Sequence, residues 1–90
     1  MDCNKMPNFK GVRYVDINGT TDTSGNYGVL APNVGIPLFF VPDTGSYDAL
    51  ATLFISSSTF TTYIHLSDFA TGNYLPSKAV KGKVYYIPFD

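Results

Sequence analysis

The chain has 90 residues, enough for one domain that buries roughly 60–65% of the surface its unfolded form exposes. Its net charge is −1, which excludes the basic field that holds a nucleic-acid backbone, and its charged fraction is only 14% against about 25% for an average soluble protein. Every acidic residue is Asp, Glu and Gln are absent, and Tyr and Phe make up 16% beside many Val, Ile and Thr, so the composition disfavours helix and suits sheet.

Met1 to Gly11 reads as a flexible lead-in or linker, and residues 12–90 as a single β domain. The segment has no hydrophobic stretch of the kind a signal peptide carries. It holds Cys3, the sole cysteine, which excludes an intrachain disulfide scaffold and a Cys/His zinc cluster. Val12 to Asn18 is the first predicted strand, with Val15 and Ile17 alternating against Tyr14 and Asp16. Gly19 to Asn26 is turn chemistry throughout. Tyr27 to Ala31 is a short strand, stopped by Pro32 and Asn33.

Ile36 to Val41 is apolar at every position and contains Pro37. Apolar faces on both sides call for cover on both sides, while a proline that cannot donate to a ladder pushes the strand to a sheet edge. This run is far shorter than the roughly 20 residues of a membrane span, so no membrane insertion is expected. Pro42 to Gly45 is a turn. Ala49 to Ser56 is short for a helix and carries Thr52, Phe54 and Ile55, so a strand is expected. After the break at Ser56-Ser57-Ser58, Thr59 to Leu66 alternates cleanly, with Phe60, Thr62, Ile64 and Leu66 on one face. Ser67 to Lys78 is a polar loop. Ala79 to Phe89 is the last strand, with Val80, Gly82, Val84 and Tyr86 opposed to Lys81, Lys83, Tyr85 and Ile87. Six or seven short strands with turns every 8–12 residues predict an antiparallel β-sandwich.

Three motifs offer chemistry. Asp43-Thr44-Gly45 matches the triplet of dimeric aspartic proteases, in which two chains each supply one carboxylate. Here Pro42 intervenes between the strand and the Asp, the triplet lies at mid-chain, and Lys81 interrupts the apolar-apolar-Gly sequence that would be the partner strand. Pro-Asp-x-Gly is the composition of an ordinary turn. Asp16 to Asp22 has the flavour of a calcium loop, but its Gly is misplaced and no Glu closes it. His65, the single histidine, has no Gly-x-Ser-x-Gly elbow to serve and reads as a cross-strand residue. No catalytic residue, metal site or cofactor is expected.

Two resemblances rest on longer patterns. Thr21-Asp22-x-x-Gly25-x-Tyr27 is similar to the turn of carboxypeptidase-regulatory-like and collagen-adhesin B-type repeats, the stalk domains of bacterial surface proteins. A more extended likeness runs through Gly19 to Asn26, Thr59 to Leu66, Thr71-Gly72-Asn73 and Val80 to Ile87. That order resembles the small C-terminal domains of tail-fibre and other virion appendage proteins of phages. It departs from that pattern at Thr62, where an aromatic is expected. The resemblance implies a homotrimeric sandwich without enzyme activity. It also implies assembly in a bacterial cytoplasm and a final place on the virion, where the domain attaches to the host.

Candidate contact residues follow from the residue types. Ile36, Leu38, Phe39, Phe40, Tyr85 and Ile87 are candidates for a subunit interface, since so small a sandwich cannot hide both apolar sets inside one chain. Asp68, Asn73 and Tyr74, with Tyr47, are candidates for contacting a hydroxyl-rich host glycan or polysaccharide through loops. The bland alternative is that Asp68 and Asn73 only shape turns.

Overall fold

Alternation with a period of two puts one apolar face on each predicted strand, and such faces are buried by stacking one sheet on another. The computed structural model describes residues 11–43 and 49–89. It is all-β, with β1 (Arg13–Thr20), β2 (Asn26–Leu30), β3 (Gly35–Pro42), β4 (Ala49–Ile55), β5 (Thr62–Asp68) and β6 (Ala79–Pro88). The strands form two antiparallel sheets of three, in the orders β1-β6-β3 and β2-β5-β4, packed as a small β-sandwich. We call these the first and second sheets.

The central strands carry the core. Ile64 and Leu66 of β5 face Val80 and Val84 of β6, and all four are fully buried. Ile17 and Leu30 complete the cluster, with Val15, Tyr27, Phe40, Leu53 and Tyr86 packed against it. The predicted phases of β1, β5 and β6 therefore hold. Each such side chain contributes roughly 1.5–3 kcal/mol by leaving water. β3 is an edge strand, as Pro37 implied, and a bulge between Pro37 and Phe39 breaks its register with β6. Segment 49–55 is a strand, not a helix.

Two stretches read as turn or loop are strand, since β1 runs through Gly19 and Thr20 and β5 through Ser67 and Asp68, and the start of β5 also differs from expectation. β5 begins at Thr62, not Thr59. The Ser56 hydroxyl oxygen accepts the backbone N–H groups of Ser58 and Thr59, and the Ser56 carbonyl accepts that of Phe60 at 2.8 Å. This turn holds Phe60 at φ 60°, a left-handed conformation that a bulky side chain rarely adopts, and so removes it from the alternating face. Phe60 points to solvent at 67% exposure.

The Thr-Asp-x-x-Gly-x-Tyr pattern is a structural device. Asp22 Oδ1 accepts the N–H groups of Ser24 and Asn26, closing the β1–β2 turn. Gly25 has φ 79°, and a Cβ there would crowd the Leu66 carbonyl and Tyr74. The Tyr27 ring lies where a side chain on Gly19 would stand. Thr21, only 4% exposed, donates its hydroxyl to the Leu75 carbonyl at 2.6 Å and accepts the Lys78 N–H at 2.8 Å. The hydroxyl thus ties the first turn to the loop before β6. Thr21→Val leaves both Leu75 and Lys78 groups without that partner. It should cost about 2 kcal/mol and raise amide exchange selectively at Leu75, Ser77 and Lys78. Unchanged exchange there would remove the tie from the account.

Candidate functional site

Most of the predicted contact residues fall on two surfaces. The first is the outer face of the first sheet. Antiparallel register sets Tyr14 beside Tyr85 and Asp16 beside Lys83 across β1 and β6. On the other flank it sets Phe39 beside Tyr85 and Ile36 beside Ile87. Directly opposed residues share a face, so three strands distant in sequence build one row. The Tyr14 and Tyr85 rings lie 5.7 Å apart, and Phe39 and Tyr85 lie 5.1 Å apart. Val41, opposite Lys83, extends the row. Tyr14, Ile36, Phe39 and Val41 are about half exposed.

A small polar group borders the row. Lys83 Nζ sits 3.4 Å from Asp16 and 5.4 Å from the centre of the Tyr14 ring. The hydrogen bond to Asp16, and then its charge, raise the Lys83 pKa above the ordinary lysine value.

Of the six interface candidates, four lie on this face: Ile36, Phe39, Tyr85 and Ile87. Leu38 sits at the β3 bulge, beside a groove of about 380 Å3 between β3 and β4. Phe40 turns inward, half-buried against the core, because the bulge shifts the alternation. Its ring belongs to the interior of the single chain.

The second surface is the loop between β5 and β6. Asp68 ends β5, and its Oδ1 accepts the N–H groups of Ala70 and Thr71 at 2.8 and 2.9 Å. These two bonds hold the Asp68 carboxyl below its ordinary pKa. Asp68 N–H donates to the Asn73 carbonyl at 2.7 Å, and Leu75 N–H donates to the Leu66 carbonyl at 3.0 Å. A β-bridge joins Ser67 to Tyr74. The carboxylate of Asp68 therefore shapes the turn, and the backbone of residues 73–75 is fixed alongside β5. Asn73 and Tyr74 are exposed. Phe69, at 75% exposure, stands out at the loop tip; its apolar type in a polar loop was the signal that sequence reasoning passed over. Tyr47 lies outside the described residues, as do Thr44 and Gly45 of the Asp-Thr-Gly triplet. Asp43 is exposed at the end of β3, with its N–H donating to the Lys81 carbonyl.

His65 is on the outer face of β5, with Nδ1 hydrogen-bonded to Asn26 Oδ1 at 2.7 Å. Beside it, Phe54 and Tyr63 stack across β4 and β5 at 5.5 Å, and Tyr63 covers Gly28. At the opposite end from the 69–78 loop, Ile55, Phe60 and Phe89 surround a cavity of about 210 Å3. No group of three or more His, Cys, Asp or Glu stands close enough to hold a metal among the described residues. The chain matches no family model, no curated protein and no solved structure.

Proposed function

We propose that this chain is a non-catalytic assembly module of a fibre-like appendage, which associates with copies of itself through the outer face of the first sheet. The observation that carries this is the aromatic row of Tyr14, Tyr85 and Phe39 with Ile36, Val41 and Ile87 beside it. Among the described residues, thirteen large apolar side chains are exposed while seven apolar ones are buried. A contiguous apolar face of this kind is what a subunit interface uses. Lys83 and Asp16 at its margin supply one charge of each sign, which suits contact between identical surfaces.

The resemblance to phage tail-fibre domains favours a homotrimer on a virion, formed around a three-fold axis with the same patch on every chain. In that arrangement the 69–78 loop presents Asn73 and Tyr74 outward from a backbone already fixed by hydrogen bonds. A fixed loop costs little to order on binding, and three copies would contact a repetitive host polysaccharide by avidity.

Light scattering at micromolar concentration tests the assembly. The wild type should have the mass of more than one chain. Phe39→Asp places a charge in the middle of the row and should lose the face-held association while the fold persists, since Phe39 is 51% exposed on an edge strand. A wild type that stays monomeric at that concentration sinks the proposal.

A further inference from the structure

A sandwich of two three-stranded sheets has four edge strands, here β1, β3, β2 and β4. An edge strand offers unpaired N–H and C=O groups to any other chain, and proteins blunt such edges with charges, prolines, bulges or short length. Three of these edges are blunted. β1 carries Arg13 and Asp16. β2 has only five residues and a register break between Gly28 and Leu30. β3 contains Pro37, ends at Pro42 and is bulged between Pro37 and Phe39.

β4 is different. Its sequence, Ala49-Leu50-Ala51-Thr52-Leu53-Phe54-Ile55, has no charge and no proline. It pairs with β5 residue for residue, from Ala49 with Asp68 to Ile55 with Thr62, without a register break. Leu50, Thr52 and Phe54 on its outer side are exposed. An apolar edge with an unbroken register, which no other described strand pairs with, is a place where another strand adds.

We infer that β4 is a pairing edge for the β4 of a second copy, antiparallel about a two-fold axis at Thr52. The strand is complementary to itself about that residue. In that register Leu50 meets Phe54 of the other copy, Ala51 meets Leu53, and Ala49 meets Ile55, while Thr52 meets Thr52. Every alanine falls opposite a large side chain, and the threonines fall opposite each other, a favourable cross-strand pair. No like charges are opposed, because the strand has none. The two second sheets become one continuous sheet of six strands. The Ala51 and Leu53 side of the strand borders the groove beside Leu38, so the added strand covers that groove as well.

This contact uses the β4 edge, whereas the face of the proposed function runs from β3 across β6 to Tyr14 of β1. Phe39 lines the groove as well as the row, so Tyr14→Asp is the variant that acts on the face alone, and the two contacts can then be told apart by mass. Thr52 is exposed, so Thr52→Lys leaves the single chain folded but sets two like charges against each other at the two-fold axis. It should reduce the assembly to the species held by the first-sheet face alone. Tyr14→Asp should leave a two-chain species, and the double variant should be a monomer, since Tyr14 is 53% exposed on β1 and does not line the groove. Mixing Thr52→Lys with Thr52→Asp in the Tyr14→Asp background should restore the two-chain species that neither forms alone, a result misfolding does not produce.

Register is read by oxidation in a Cys3→Ser background. Thr52→Cys should form a disulfide between copies, since directly opposed residues of an antiparallel pair lie about 4.5–5.5 Å apart. Leu50→Cys should not, since its copies would stand about 13 Å apart along the strands. If Thr52→Lys has the mass of wild type and Thr52→Cys forms no disulfide, pairing of two copies is overturned, and the edge is left to a strand of another protein.

Discussion

Gly82→Ala should lose a large share of the stability of the domain, about 3 kcal/mol or more. Gly82 lies in β6, the centre of the first sheet, between Ile17 of β1 and Pro42 of β3. A Cβ at this position would fall on the Val41 carbonyl oxygen and 2.7 Å from the Phe40 ring. The backbone oxygen cannot step aside without breaking the β3–β6 ladder, and the ring cannot move without leaving the core. The backbone φ of 156° is also one that side chains rarely adopt. A domain of this size has a total stability on the order of 5–10 kcal/mol, so such a loss is severe. The control is Gly72→Ala. Gly72 also has a positive φ, but nothing lies within 4 Å of its Cβ position, so only a backbone cost of about 1 kcal/mol is expected. Urea denaturation of both variants reads the difference. Equal midpoints would mean that β3 does not approach β6 as closely as described.

Ile64→Ala should cost about 2–5 kcal/mol. Ile64 is fully buried in β5, the centre of the second sheet, between Tyr27 of β2 and Leu53 of β4. Its removal leaves a cavity at the point where both sheets meet, and a close-packed interior relaxes only partly around such a void. The described residues form one small core cluster, so the loss is not shared with another. Leu50→Ala supplies the comparison. Leu50 is 53% exposed on an edge strand, and its loss should stay within about 0.5 kcal/mol in a single chain. Under assembling conditions Leu50→Ala should weaken pairing of β4, whereas Ile64→Ala acts on the fold itself. Similar midpoints for the two variants at dilutions where chains are separate would show that the core does not lie between β5 and β6.

Much of this architecture is legible in the residues. The period-two runs around Ile64 and Val84 set which side chains face inward, because adjacent residues in a strand point to opposite faces. Pro37 announced an edge strand, since it cannot donate to a neighbour. Asp22 and Gly25 announced a turn by their own local geometry. The start of β5 was not legible, because Ser56 captures the backbone up to Phe60 with bonds that compete with the strand.

The pairing of strands belongs to the tertiary structure. β1 lies beside β6, more than fifty residues away, and nothing local in either strand names its partner. For that reason sequence alone singled out Tyr85 and Phe39 as apolar and surplus, yet left Tyr14 apart. Only the register of β1 and β3 on β6 brings the three rings into one row. The same register turns Phe40 inward, since the bulge after Pro37 adds one residue and shifts the alternation beyond it. It also makes Gly82 indispensable, because the need for a missing side chain arises only when another strand's carbonyl occupies its place.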